Sequence, residues 1–398
     1  MTPDHAVRRA VRLAMRGVSL RAGRRGDRGA VLVHVAVAMM GLLAFSALTI
    51  DLGTLWVARA QAQNVADAAA LSGGVALAYI DETDEPAAIA AADTVALTHS
   101  IWGEPVAPAS LTTTVAACPT GAPATSGSCL NTAVARPMPV FFSRLFGASA
   151  TNLRASASAM VMLGNATSCL RPLAIVDRWI EQSGAADTFD AYDATGAVLP
   201  GMIDLYNPPN AGSAGSGWDL ADVRPSPSLT FRLTNPTLPV ALAADQMIAF
   251  DLARPGGDPN PDLRYVENLG SCGGTQVALG EFAASIDPPP SNTTDPLLAL
   301  VAADGTEWDD GPQAVRGSPK LITIAVIDPD HFSSQNRTGG AAPVLRIRNL
   351  IGFFVEGVSA SSGTVLVQGR LAITSGLHTP EPTLANDASF LRTVALVR

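Results

Sequence analysis

The sequence predicts an α+β protein: one membrane-spanning helix near the N terminus, a small helix-and-strand unit after it, and then a β-rich domain, either a sandwich or an open barrel. Three observations lead to this expectation. They are a long apolar run at Gly29–Ile50, a helical pattern that continues beyond it, and a remainder rich in Gly, Pro and short alternating segments. The 398 residues suffice for two ordinary domains, and a hydrophobic fraction of 47% can build a sizeable core.

The apolar run reads GAVLVHVAVAMMGLLAFSALTI and carries no formal charge. As a helix it spans about 33 Å, enough for the hydrocarbon core of a bilayer. Two other interpretations stay open. A cleaved signal peptide would have a shorter apolar stretch and a small-residue cleavage site, and a buried core helix of this length would rarely be apolar on every side.

Residues 1–28 are strongly basic. Eight arginines against Asp4 and Asp27 give +6, so a net charge of -9 leaves -15 on the rest of the chain. Positive charge on this flank predicts a cytoplasmic segment 1–28, a transmembrane helix 29–50 and a body exported through the bacterial inner membrane into the periplasm. The arginines would bind anionic lipid as a basic helix or belong to a disordered tail. Because the exported body is acidic, nucleic-acid binding is not expected. The arginines are Arg8, Arg9, Arg12, Arg16, Arg21, Arg24, Arg25 and Arg28.

The helix is predicted to continue from Asp51 to about Tyr79, because this stretch contains no proline and is rich in Ala, Gln and Leu. Small residues recur in it every three to four positions, which lets another element approach the backbone closely. These residues are Ala58, Ala62, Ala66, Ala69 and Gly73. The whole rod would be about 75 Å long, half in lipid and half packed on an extracytoplasmic domain. Pilins are built in this way, so residues 51–168 are predicted to form a pilin-like α+β region.

Motifs on both sides of the apolar run make the resemblance more specific. The run RRGDRG ends at Gly29, Asp51-Leu52-Gly53 follows the span, and QNVADAAAL begins at Gln63 after Arg59. Together they resemble the N-terminal signature of TadE/TadG-like proteins of tight-adherence (Flp) pilus assembly. The motif residues are Gly29, Asp51, Gly53, Arg59, Gln63, Asn64 and Asp67. The resemblance implies a structural part in Flp pilus assembly, with other pilus assembly or secretion proteins as partners.

One departure from the pilin pattern narrows the implied role. Pilin-like members that prepilin peptidase cleaves resemble Gly followed by a short apolar stretch with Glu at the fifth position after the cut, whereas here that residue is His34. The resemblance therefore points to the TadG side of the family, an anchored assembly factor. A minor pilin with a mature N terminus at Ala30 stays open as an alternative. Larger members with a von Willebrand A domain carry a DxSxS metal site, and this sequence has no DxSxS.

The body is predicted to begin with a helix over Pro86–Thr98, and a turn of helix is predicted over Val140–Phe146. Strand candidates in the pilin-like region are Thr112–Ala117, Asn131–Ala135 and Leu153–Leu163, the last with Leu153, Ala155, Ala157, Ala159 and Val161 facing inward. The β-rich domain is predicted to cover residues 169–398. Its strand candidates are Leu229–Leu233, Met247–Phe250, Leu321–Ile327, Val344–Val355 and Thr364–Ile373.

All four cysteines follow the apolar run, and an even number there suits disulfides in an oxidising periplasm. Of three possible pairings we favour Cys118 with Cys129, which would close the loop between them, and Cys169 with Cys272. Free buried thiols are the alternative.

No pattern of catalytic residues stands out. The sequence has no GxSxG, HExxH, P-loop or Rossmann fingerprint, and Lys320, its only lysine, is not in an SxxK motif. We therefore expect no enzymatic activity, no cofactor and no metal site. Two acidic groups, Asp304 with Glu307, Asp309 and Asp310, and Asp258 with Asp262, could hold calcium, although solvated loops explain such groups more often. A membrane-tethered periplasmic enzyme or carbohydrate-binding module is the alternative function, which a concave pocket with paired carboxylates would favour.

Overall fold

The computed structural model describes residues 27–79, 85–118, 128–142, 144, 147, 150–176, 227–233, 245–253, 257–272, 275–286, 289, 291–327, 332, 343–361, 364–379 and 390–397. The predicted basic segment 1–28 lies outside this part of the chain, apart from its last two residues. The structure divides into two compact units. One contains the chain up to Ala60 together with Ala135–Leu153, and the other contains Gln61–Val134 together with Arg154–Arg398.

The described chain mixes helices with many short strands. The helices are α1 Asp27–Tyr79, α2 Glu85–Leu97, α3 Pro261–Gly270, α4 Thr294–Val301 and α5 Pro312–Gly317, with 3-10 turns at Pro108–Ser110 and Trp308–Asp310. The strands are β1 Ser100–Ile101, β2 Glu104–Pro105, β3 Leu111–Ala117, β4 Ser128–Pro139, β5 Ala150–Leu163, β6 Ala166–Thr167, β7 Leu170–Val176, β8 Leu229–Leu233, β9 Gln246–Ala249, β10 Val277–Ala278, β11 Phe282–Ala284, β12 Leu321–Ile327, β13 Val344–Ser361, β14 Thr364–Ala372, β15 Thr374–Ser375 and β16 Leu391–Val397. This confirms the predicted α+β class, and each strand candidate named from the sequence overlaps a strand.

Helix α1 is continuous over 53 residues and is therefore about 80 Å long. The stripe of small residues in its second half is buried as predicted, with Ala62, Ala66 and Ala69 fully inaccessible to solvent. A Cβ on Gly73 would lie 2.5 Å from the Leu130 side chain, and a Cβ on Gly74 would lie 2.9 Å from those of Ala159 and Val394. Glycine is therefore required here because sheet and helix backbones approach so closely.

The second half of α1 packs on a five-stranded sheet with the order β15-β16-β5-β4-β3. In β5, four of the five residues expected to face inward are buried: Leu153, Ala155, Ala157 and Ala159. The last strand, β16, pairs antiparallel with β5, from Arg392 opposite Leu163 to Val397 opposite Ser158. The chain therefore returns at its end to the first sheet, across the domain boundary expected between residues 168 and 169. The sequence did not predict this strand or its pairing, because pairing between such distant segments leaves no local pattern.

The second sheet has seven strands in the order β11-β13-β12-β7-β9-β8-β14. Strand β13 is 18 residues long and pairs with β12 through Ile347–Phe354 and with β14 through Gly352–Ser361. Six strands therefore form a closed ring of pairings, whereas the sequence predicted a sandwich or an open barrel. Closure removes the free strand edges that an open sheet would leave.

In the barrel formed by this ring of strands, β7 is buried on both faces. Leu173 and Ile175 of β7 belong to one hydrophobic cluster with Phe353, Tyr265 of α3 and Leu297 of α4. The alternate residues of β7 belong to a second cluster, which includes Phe250 and Leu391. Because both faces are covered, the second half of β7, Leu173–Val176, is a continuous apolar run without polar alternation.

Two disulfides join elements of the body. Cys118, just after β3, is bonded to Cys129 on β4, and Cys169, just before β7, is bonded to Cys272, just after α3. These are the two pairs favoured on sequence grounds. The first bond closes the end of a hairpin, and the second joins segments 103 residues apart.

Candidate membrane anchor and assembly interface

The first half of α1 presents apolar side chains on all sides. The large apolar residues from Val31 to Ile50 are 50% to 73% exposed. A folded soluble protein rarely leaves so large an apolar surface in water. Among the described residues, α1 is the one helix that is both long and apolar enough to cross a membrane. His34 lies on this surface.

Asp51 ends the apolar run, and its carboxylate is buried and hydrogen-bonded. It accepts hydrogen bonds from the backbone N–H groups of Phe141 and Phe142, with N–O distances of 3.0 Å and 3.1 Å for the shorter contact of each. Only 2% of Asp51 is exposed. Hydrogen bonds of this charge-assisted kind offset the cost of removing a carboxylate from water. Asp51 therefore fixes the loop after β4 to the helix.

A turn of helix was predicted over Val140–Phe146. Val140–Phe142 instead form an irregular segment after β4, so the prediction is wrong for them, whereas Arg144 has the 3-10 conformation. Asp51 binds the N–H groups of Phe141 and Phe142, which have no backbone partner among the described residues just before this turn.

Gln63 ties α1 to the five-stranded sheet. Its Nε2 donates to Asp67 Oδ1 at 2.8 Å and to the carbonyl oxygen of Ser156, on β5, at 3.1 Å. Two motif residues thus cooperate, since Asp67 lies one helical turn after Gln63 and orients its amide.

Gln61 makes a similar tie that the sequence did not single out. Its Oε1 accepts a 2.7 Å hydrogen bond from the backbone N–H of Trp102. Trp102 and Gly103 form the two-residue turn between β1 and β2, with φ angles of 52° and 75°. A tryptophan in the left-handed region is strained, and the hydrogen bond that its N–H donates to Gln61 helps to hold it there.

The other motif residues face outward. Gly29, Gly53, Arg59 and Asn64 are exposed, and a Cβ on Gly29 or Gly53 would meet no atom within 4 Å. Arg59 and Asn64 have no side-chain hydrogen bond or ion pair with a residue in the described ranges. The fold itself therefore gives no reason for these four residue types, in contrast to Asp51 and Gln63.

The comparison with known protein families decides what this helix is. Residues 29–76 match the family model of TadE/G-like proteins of Flp pilus assembly. The chain carries a TadE/G-like segment. No curated protein and no solved structure matches the chain.

The TadE/G-like segment coincides with α1 from the start of its apolar run almost to its end at Tyr79. The barrel and all five strands of the first sheet follow it in the sequence. Within the segment, the motif residues separate into two groups. Asp51 binds a loop, Gln63 binds a strand and Asp67 holds the Gln63 amide, whereas the four outward residues make no such contact within the described ranges.

A cavity of about 440 Å³ lies at the end of the TadE/G-like helix. Tyr79, Arg316, Ser72, Thr374 and Ser375 contribute to its wall, and no carboxylate does so among the described residues. The described wall of this cavity therefore does not provide the paired carboxylates that would favour the enzyme alternative.

Arg316 and Tyr79 are in direct contact in this wall, with the guanidinium carbon 3.8 Å from the ring centre. Burial lowers the pKa of Arg316, against a raising influence of Tyr79. Burial also raises the pKa of Tyr79, and the charges of Arg316 and Arg392 oppose that rise. The stacked pair forms part of the cavity wall.

The two acidic groups that could have held calcium are used for turns. The Asp304 carboxylate accepts hydrogen bonds from the Thr306 N–H and the Ser318 hydroxyl. Asp310 accepts from the Glu307 N–H, and Asp258 accepts from the Asn260 N–H. Within the described ranges no three His, Cys, Asp or Glu side chains are grouped as metal ligands.

Proposed function

We propose that this protein is a membrane-anchored, non-enzymatic component of a tight-adherence (Flp-type) pilus assembly system, on the TadG side of the family. It acts through protein contacts in the periplasm. The observation that carries the proposal is α1, whose exposed apolar half and the half that follows Asp51 both lie within the match to the TadE/G-like model. In this proposal residues 1–28 lie in the cytoplasm beside anionic lipid of the inner membrane, an orientation that the arginines before the helix favour.

Two features support an anchored factor over a filament subunit. His34 stands at the fifth position after Gly29, where processed pilins resemble one another in having Glu. An unprocessed chain keeps its basic N-terminal segment, which resists extraction from the membrane. The two disulfides support a body outside the cytoplasm, because such bonds persist in oxidising compartments.

The outward motif residues are the contact surface in this proposal. Gly53 allows close approach of another helix, and Arg59 and Asn64 offer a charge and an amide to a partner. Because the fold does not use these side chains internally, substituting them should impair assembly without unfolding the protein.

Site-specific photocrosslinking in cells tests this proposal. A photoreactive residue at Asn64 is expected to crosslink to pilus assembly proteins, such as the secretin or the inner-membrane platform. The matched control is Leu263, which is 51% exposed on α3 and lies outside the TadE/G-like segment. Crosslinks from neither Asn64 nor Arg59 to any pilus assembly protein, under conditions in which pili form, would sink the proposal.

A further inference from the structure

The loop that follows β4 carries two exposed aromatic side chains at its start. Phe141 is 54% exposed and Phe142 is 39% exposed, whereas Val140 just before them is buried. Adjacent exposed phenylalanines cost free energy in water because they leave a large apolar area unburied. Their position in the fold indicates what covers them.

We propose that Phe141 and Phe142 insert into the periplasmic interface of the same bilayer that α1 spans, giving the chain a second membrane contact. This inference rests on the membrane anchoring proposed above. The occupant of the aromatic surface is lipid, rather than another protein.

The Asp51 carboxylate sets the depth of the loop. Asp51 directly follows Ile50, the last residue of the apolar run, so it lies where the hydrocarbon core ends. The backbone nitrogens of Phe141 and Phe142 are within 3.2 Å of its oxygens. The backbones of the two phenylalanines therefore lie at the level where the helix leaves the hydrocarbon core, each hydrogen-bonded to Asp51 of that helix.

The same hydrogen bonds make a loop tolerable at this depth. Irregular backbone near hydrocarbon is costly because its N–H groups lack water as a partner. Here the N–H groups of both phenylalanines have a carboxylate acceptor, and that carboxylate is itself shielded from its surroundings. Burying the carboxylate and removing the two N–H groups from water would each cost free energy, and the hydrogen bonds between them offset both costs. A loop in water would not need this arrangement.

Neighbouring side chains fit a membrane interface. Leu52 is 53% exposed and Trp56 is 82% exposed, the latter about 7.5 Å beyond Asp51 along the helix. Tryptophan is enriched at the level of lipid headgroups, just outside the depth that suits phenylalanine. Arg144, on the same loop, is exposed and can reach lipid phosphates.

Spin labelling of the full-length protein in phosphatidylethanolamine–phosphatidylglycerol vesicles tests this inference. All four native cysteines are disulfide-bonded, so Phe142→Cys or Phe141→Cys provides a single reactive thiol. Leu42→Cys, in the middle of the apolar run, is the lipid reference, and Asp309→Cys, in an exposed polar turn, is the aqueous reference. The readout is the ratio of collision rates with oxygen, which prefers lipid, and with a water-soluble nickel chelate.

We expect the ratio at both loop positions to lie several-fold above that of Asp309→Cys and below that of Leu42→Cys. Adding Asp51→Ala should move the ratio at Phe142→Cys toward the aqueous value, because the loop is no longer held at that depth. An aqueous ratio at both loop positions, with Leu42→Cys in lipid, overturns the inference and leaves the anchor intact. Protection from both reagents would mean that protein covers the loop, which also overturns it. A water-accessible Leu42→Cys would contradict the anchor itself.

Discussion

Replacing Cys169 and Cys272 together with serine is expected to lower the free energy of unfolding by about 4–5 kcal/mol, the largest loss among the substitutions considered. The bond joins residues 103 positions apart, and a cross-link over so long a loop removes much entropy from the unfolded chain. It also holds the start of β7, a barrel strand buried on both faces, next to the end of α3. Urea denaturation of the detergent-solubilised protein, followed by circular dichroism, measures the loss.

The matched control is the double serine substitution of Cys118 and Cys129. This pair is only 11 positions apart, so the same reasoning predicts a smaller loss of about 3 kcal/mol. A loss for the short loop that equals or exceeds the loss for the long loop would show that loop entropy does not account for the stabilisation by these bonds.

Gly369→Ala is expected to destabilise the barrel by about 3 kcal/mol, the upper end of what overpacking in a core usually costs. A Cβ at this position on β14 would lie 2.2 Å from the carbonyl oxygen of Phe354 and 2.6 Å from the Phe353 ring. Both belong to β13, whose pairing with β14 closes the ring of strands. A backbone oxygen cannot move aside without disturbing that pairing, so thermal unfolding should begin at a markedly lower temperature.

Gly357→Ala is the control on the same pair of strands. Its Cβ would meet only the end of the Gln368 side chain, at 3.8 Å, so a change within about 0.5 kcal/mol is expected. Equal effects of the two substitutions would mean that close strand contact at Gly369 is not what keeps the ring closed.

Local sequence patterns predicted the elements of this fold well. The apolar run, the proline-free extension to Tyr79 and the alternation in Leu153–Leu163 each specify their element through short-range periodicity. The buried stripe around Ala62 and Ala66 also follows from spacing alone, since small residues on one helix face predict close packing.

Long-range features could not be predicted in the same way. The pairing of β16 with β5 and the double pairing of β13 depend on register between segments far apart in the chain, which periodicity does not encode. The hydrogen bonds from Phe141 and Phe142 to Asp51 span 90 residues or more. From the sequence, Asp51 could be interpreted only as the end of the apolar run.

The motif residues illustrate the same limit at the candidate site. The sequence presented Asp51, Arg59, Gln63 and Asn64 as one signature, and the structure assigns them different surroundings. Asp51 and Gln63 bind backbone groups of the protein itself, whereas Arg59 and Asn64 face outward. Of these four residues, only Arg59 and Asn64 present their side chains to partners. Separating the two pairs required the positions of the loop after β4 and of β5.

The central claim is that α1 anchors the protein in the inner membrane through its apolar half and directs the half after Asp51, together with the body, into the periplasm. Thiol labelling of spheroplasts with a membrane-impermeant maleimide tests this claim most directly, because the native cysteines are bonded and added ones report their own side of the membrane. The account predicts that Asp309→Cys is labelled in intact spheroplasts and that Thr2→Cys is labelled only after lysis. Labelling of Thr2→Cys in intact spheroplasts, with Asp309→Cys protected, would contradict it.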